Sequence, residues 1–260
     1  MKSSCKSIPV LISAAGFGLT GFALRLILYR VGFDEQGLLP RMHPLQLMCV
    51  LLVLGAALAG IFLLKVQKFD YRPARFLNPW GRTLLAPAVS AALIAHAYRL
   101  YAASLQPSIA PAVMDSLYWV RLVLALGAAA AVAAILWMNV RKPGISLFLH
   151  CVVCLFFTVD MLCRYQYWSG NPQLADYLLQ VFACVCFTFC SYSRMAFWGQ
   201  IHNPRLHGLA GYLGLVLGLV CAAGPDTPIF YLGGACWSAV GLWLDETGEA
   251  HFQHEHQEET

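Results

Sequence analysis

Eight runs of apolar residues, at 8–30, 44–66, 83–104, 115–138, 144–168, 173–198, 206–223 and 228–244, follow one another with short connections between them. A helix crosses a bilayer core of about 30 Å in about 20 apolar residues. Within lipid, every backbone N–H and C=O has to be satisfied inside the segment itself. The runs therefore predict an all-α, polytopic membrane helix bundle of about eight transmembrane helices. The last two runs are short and joined only by Gly224-Pro225-Asp226-Thr227, which suits a tight spanning hairpin or a re-entrant pair. Seven spans is the alternative count.

The overall composition agrees. Of 260 residues, 59% are hydrophobic and 12% charged, about half the charge of a soluble domain. The net charge of +4 is divided among short loops, so nucleic acid is excluded as a partner. Lys2 and Lys6 precede the first run as in a signal peptide, but the run continues to about Leu28, which favours a retained helix. Nine of the ten cysteines fall within apolar runs, where a free thiol packs as a small hydrophobe. No disulfide framework is expected. Residues 1–245 read as one transmembrane domain. Residues 246–260, with His251, His254 and His256 among glutamates, read as a disordered cytoplasmic tail.

Prolines and small residues punctuate the runs. Pro44, Pro172, Pro204 and Pro228 each stand where a helix should start, because the first turn does not use its N–H groups. Asn171 and Asn203 precede two of them as N-caps. Ala210, Gly214, Gly218 and Ala222 recur every four residues in the seventh run, Gly234 and Ser238 in the eighth, and Ala56 and Gly60 in the second. This spacing lets helices approach closely.

Lysine and arginine give the orientation. Lys2, Lys6, Lys65, Lys68, Arg72, Arg75, Arg82, Arg141, Lys142, Arg194 and Arg205 all fall on one side of an eight-span chain. That side is cytoplasmic, so both termini are inside. The sequence carries no N-x-S/T acceptor, which fits a bacterial inner membrane. The segment from Gln67 to Arg82, rich in basic and aromatic residues, reads as a topology anchor at the lipid headgroups.

The other side has arginine alone: Arg25, Arg30, Arg41, Arg99, Arg121 and Arg164, matched by Asp34, Glu35, Asp115, Asp160, Asp176 and Asp226. Arginine's planar fork suits partly desolvated carboxylates. Arg25, Arg99, Arg121 and Asp160 each sit inside an apolar run, a few ångströms to a turn below the outer boundary. Asp160 and Arg164 are four apart, with the acid N-terminal, the favourable order for a helical ion pair. His96 and Arg99 are three apart. These spacings suggest an outward-facing charged region shared by the first, third, fourth and fifth helices, with Arg25, His96, Arg99, Arg121, Asp160 and Arg164 as ligand-binding candidates and Asp160 as the partner of Arg25. The bland reading is snorkelling arginines or a structural ion network.

No phosphate-binding Gly-rich loop, HExxH or Gly-x-Ser-x-Gly motif occurs. Cys151 and Cys154 form a lone CxxC inside a run, read as packing. No cofactor or metal is expected. The leading function is binding or transport of a small polar solute; with charges balanced, a zwitterion or a proton-coupled solute suits the site better than a simple anion. The alternative is a membrane sensor or assembly subunit whose charges only hold the bundle together, working with a membrane protein partner or as a homo-oligomer. For an intramembrane enzyme, His96 and Asp160 are the acid–base candidates. The orientation is directly testable: reporter fusions after Asn139 and at the C-terminus should report the inside, and one after Gln106 the outside. A C-terminus found outside would replace eight spans with seven.

Overall fold

The computed structural model describes residues 7–32, 43–66, 79–105, 117–137, 143–169, 174–198, 203–224 and 227–243. Among these residues the chain forms eight helices and no strand: α1 (Ser7–Val31), α2 (Pro44–Val66), α3 (Pro79–Ser104), α4 (Tyr118–Trp137), α5 (Pro143–Ser169), α6 (Leu174–Trp198), α7 (Pro204–Ala222) and α8 (Pro228–Trp243). The apolar runs locate the helices to within a few residues. Pro44, Pro204 and Pro228 open helices as expected, and Pro79 and Pro143 do the same. The Asn203 side chain accepts from the Leu206 N–H at 3.3 Å, capping α7. Asn171, Pro172, the basic aromatic segment 67–78 and the tail 246–260 lie outside the described residues.

Seven of the helices are long and apolar enough to cross a membrane. The eighth, α8, has 16 residues, or about 24 Å at 1.5 Å per residue. Its surroundings explain its length. Phe230, Tyr231, Trp237 and Leu242 are all but fully buried, and α8 is enclosed by α3, α6, α7 and α1. It forms the centre of the bundle with α7, which packs on α1, α2, α6 and α8. Helices α3, α4, α5 and α6 follow one another around one side, and α1 and α2 cover the other. Leu51, Leu54, Leu58 and Phe62 on α2, like Ile94 and Tyr98 on α3, are left exposed on the outside, where lipid is the only solvent for them.

The passes alternate in direction, so α1 begins and α8 ends at one end of the bundle. We call this the proximal end and the opposite one the distal end. The direction is visible in cross-links between helices: Ser13 near the start of α1 shares a hydrogen bond of 2.9 Å with Tyr212 near the start of α7. Tyr118 at the start of α4 donates to the Leu100 carbonyl near the end of α3 at 2.9 Å.

The small-residue stripes lie at the helix contacts. A Cβ on Gly218 would stand 2.8 Å from Ala235 Cβ and 3.0 Å from its backbone nitrogen, so α7 and α8 touch main chain to main chain. A Cβ on Gly214 would run into Ser238. On α2, a Cβ at Gly60 would stand 2.7 Å from the Tyr212 ring. Gly16 and Gly55, by contrast, face open space. Leucine at Gly218 should therefore destabilise the protein by about 1–3 kcal/mol through overpacking, read as thermal unfolding in detergent. Alanine at Gly16 should leave stability unchanged or raise it, since it gains helix propensity and meets nothing. Equal behaviour of the two variants would mean that the stripe is not a contact.

Candidate functional site: a charged centre at the distal end

Asp160 is the hub of the site, and α5 places it there. Four residues on, Arg164 projects from the same face, and its Nε donates to Asp160 Oδ2 at 2.5 Å. From α4, Arg121 donates through its own Nε to Oδ1 at 2.5 Å. From α3, His96 Nε2 lies 3.2 Å from the same oxygen. Asp160 accepts from two guanidinium groups and offers His96 a lone pair, so Nε2 is the hydrogen-bearing nitrogen. Asp160 is 0% exposed and His96 1%. Ions this deep persist only when each is closely paired and hydrogen-bonded.

The remainder of Arg164 is directed toward α8. Its Nη1 donates to Thr227 Oγ1 at 2.8 Å and to the Tyr231 hydroxyl at 3.3 Å. The guanidinium carbon sits 4.3 Å from the centre of the Phe230 ring, a cation–π contact. Tyr231 passes its own proton to Gln180 Oε1 on α6 at 3.0 Å. The His96 ring lies on the opposite flank of the same phenylalanine, with centroids 4.8 Å apart. Five helices thus meet through Asp160, Arg164 and their partners.

Two atoms in this centre stand out. Arg164 Nη2 and His96 Nδ1 are buried and have no hydrogen-bond partner. Arginine usually grips a carboxylate with its terminal fork. Here both arginines use Nε, which leaves the forks free to point elsewhere. With Nε2 as donor, His96 Nδ1 is an acceptor. One unfilled donor and one unfilled acceptor therefore flank Phe230.

The expected residues divide into three groups. His96, Arg121, Asp160 and Arg164 come together as one unit. Arg25 is buried but turns to α7: its Nη1 donates to Cys221 Sγ at 3.4 Å, and its Nη2 to the Tyr29 hydroxyl at 3.1 Å. Its printed bonds thus go to a different helix from the one expected, and Asp160 is taken by other partners. Arg25 still belongs to the same end, since the Tyr29 hydroxyl and Gln180 both lie against Gly224. Arg99 is exposed and stays outside the cluster. Three residues turn a helix about 60° past a full revolution short, enough at the rim of the bundle to direct Arg99 outward while His96 points in. Asp34, Glu35, Asp115 and Asp226 lie outside the described residues, as does the Asp176 side chain. Sequence reasoning missed Gln180, Thr227, Phe230 and Tyr231, because uncharged residues in apolar runs give no charge signal.

The nine described cysteines are free thiols. No group of three or more metal-ligating side chains occurs among the described residues. Comparison with protein-family models, with curated proteins and with solved structures returns no match.

The centre makes an energetic prediction. Asp160→Ala and Arg164→Ala should each cost about 3–5 kcal/mol by stranding a buried charge, and the double variant should cost clearly less than their sum. Arg25→Ala combined with Asp160→Ala should come closer to additivity. The check is a pair of double-mutant cycles on unfolding in detergent. Stronger coupling to Arg25 than to Arg164 would contradict the geometry.

Proposed function

We propose that this multi-pass membrane protein binds a small zwitterion at the distal centre and carries it across the bilayer. One observation carries the reading: a buried donor, Arg164 Nη2, and a buried acceptor, His96 Nδ1, both unfilled and both against Phe230. A network that served stability alone would have its buried polar atoms paired. A solute bearing a carboxylate and an ammonium group supplies what the two atoms lack, since its carboxylate accepts from Arg164 and its ammonium donates to His96. The charge sum points the same way. Two guanidinium groups face one carboxylate in the described core, so an incoming carboxylate meets net positive charge. The second reading, a sensor or assembly subunit, draws on the saturation of Asp160 by three partners, which also suits a purely structural pin.

The test is a thermal-shift panel on purified protein in detergent. The probes are the standard amino acids, with acetate and methylammonium as the separate halves. At a hundredfold excess over Kd, a bound solute stabilises by about 2.7 kcal/mol. At least one zwitterion should raise the midpoint of wild type and leave Arg164→Gln unmoved, while neither half acts alone. A flat panel would turn the argument to the structural reading.

A further inference from the structure

The distal centre leaves a second buried polar group unexplained. At the proximal end, α6 carries Arg194, 4% exposed, with its guanidinium carbon 4.3 Å from the centre of the Trp237 ring on α8. The Trp237 indole N–H donates to Ser191 Oγ at 3.0 Å. His207, in the first turn of α7, is bonded through Nδ1 to Ser193 Oγ. From α5, His150 is held by the Ser146 carbonyl at 2.8 Å, and its ring centroid is 6.2 Å from that of Trp237.

Gly241 makes the arrangement compact. A Cβ there would stand 3.1 Å from His207 Nε2 and 3.2 Å from Arg194 Nη2. Both nitrogen-bearing tips therefore converge on one bare Cα. Glycine is otherwise a poor residue in a helix.

The two polar groups resemble each other. Each sets an arginine against an aromatic ring of α8, with an imidazole beside it, and each draws on α5, α6 and α8. On α5, His150 and Asp160 are ten residues apart, or roughly 15 Å along the axis. Phe156, Phe157, Phe187 and Phe230 fill the interval, each at most 1% exposed. Their ring centroids are 5.1 to 6.2 Å apart. A hydrophobic constriction of this kind blocks water and ions until it opens.

We propose that the Arg194–His207 group is a second, proximal site for the carboxylate of a small solute, and that the four phenylalanines are the gate between it and the distal centre. The proposal rests on the reading of the distal centre as a solute site. It gives that reading an exit: a polar group leaving Asp160 and Arg164 meets a matching set of donors on the other side of the rings.

The experiment uses the protein's own thiols. Cys184, buried and one turn from Gln180, reports the distal side. Cys190, buried, one turn before Arg194 and 3.8 Å from Ser238 Oγ, reports the proximal side. Membrane-impermeant methanethiosulfonates, one carrying a sulfonate and one a trimethylammonium group, are applied to each face of oriented vesicles holding the full chain. Adducts are located by mass spectrometry, with Cys190→Ser and Cys184→Ser as controls, and rates are normalised to a free small thiol. Cys190 should react from the proximal face alone, with the anionic reagent favoured at least tenfold. Arg194→Gln should abolish the preference and Arg194→Lys should keep it. Phe187→Ala should make Cys190 reactive from the distal face too.

Equal reactivity toward both reagents, or a preference untouched in Arg194→Gln, overturns the proximal site. Reaction of wild-type Cys190 from the distal face overturns the gate. If Arg194→Gln does not fold, the wild-type preference and its retention in Arg194→Lys decide. Loss of anion preference at Cys184 alone would strike the distal reading and leave the proximal one standing.

Discussion

A carboxylate inside a bilayer has to be met by opposite charge on every side that water would otherwise occupy. Asp160 is met from three helices at once, by Arg121 on α4, Arg164 on its own helix α5 and His96 on α3. Because a stranded ion at this depth is costly, these contacts fix the rotation of α3, α4 and α5 about their own axes. Apolar packing in lipid does so weakly, since lipid tails are as apolar as leucine. Arg164 then carries the constraint to α8 through Thr227 and Tyr231, and Tyr231 to α6 through Gln180. The polar centre is thus a device for registering helices as well as a candidate site.

The rest of the bundle is organised by close approach. Helices α7 and α8 meet main chain to main chain at Gly218 and Ala235, and Gly60 admits the Tyr212 ring between α2 and α7. Dispersion at such short range substitutes for the hydrophobic drive that soluble helices enjoy. This explains how α8 can be shorter than the bilayer core. A helix enclosed by four others shows lipid little surface, so its length is set by its neighbours.

How much of this could be read from the chain follows from which physics is local. The helices were legible because bilayer thickness and backbone hydrogen bonding act on each segment separately, and the runs reproduce them closely. The pairing of Asp160 with Arg164 was legible from a spacing of four on one helix. The partner of Arg25 was not, because depth alone does not say which way a side chain turns, and Arg25 turns to Cys221. Arg99 shared the depth of His96 but not its direction. Arg194 was counted as a topology signal because it ends a run on the basic side, yet it is buried against Trp237. Lysine and arginine counts treat every terminal charge alike. An arginine four residues inside the end of α6, among serines and opposite His207, is a different object from Arg205, which is exposed.

The same consideration bears on why arginine, and not lysine, occupies both ends. A lysine would neutralise Asp160 with one compact charge and have no second function. Arg164 neutralises it with Nε, donates with Nη1 to α8, rests its flat face on Phe230 and still has Nη2 to offer. Five donors in a rigid plane allow one residue to pin the helices and present a donor in the same orientation. Structural and binding roles are therefore not competing descriptions of Arg164. The helix register that Asp160 enforces is what aims the remaining donor. A solute recognised there would be recognised through the contacts that hold the bundle in register, and its arrival or departure would bear directly on how α5 and α8 sit against each other.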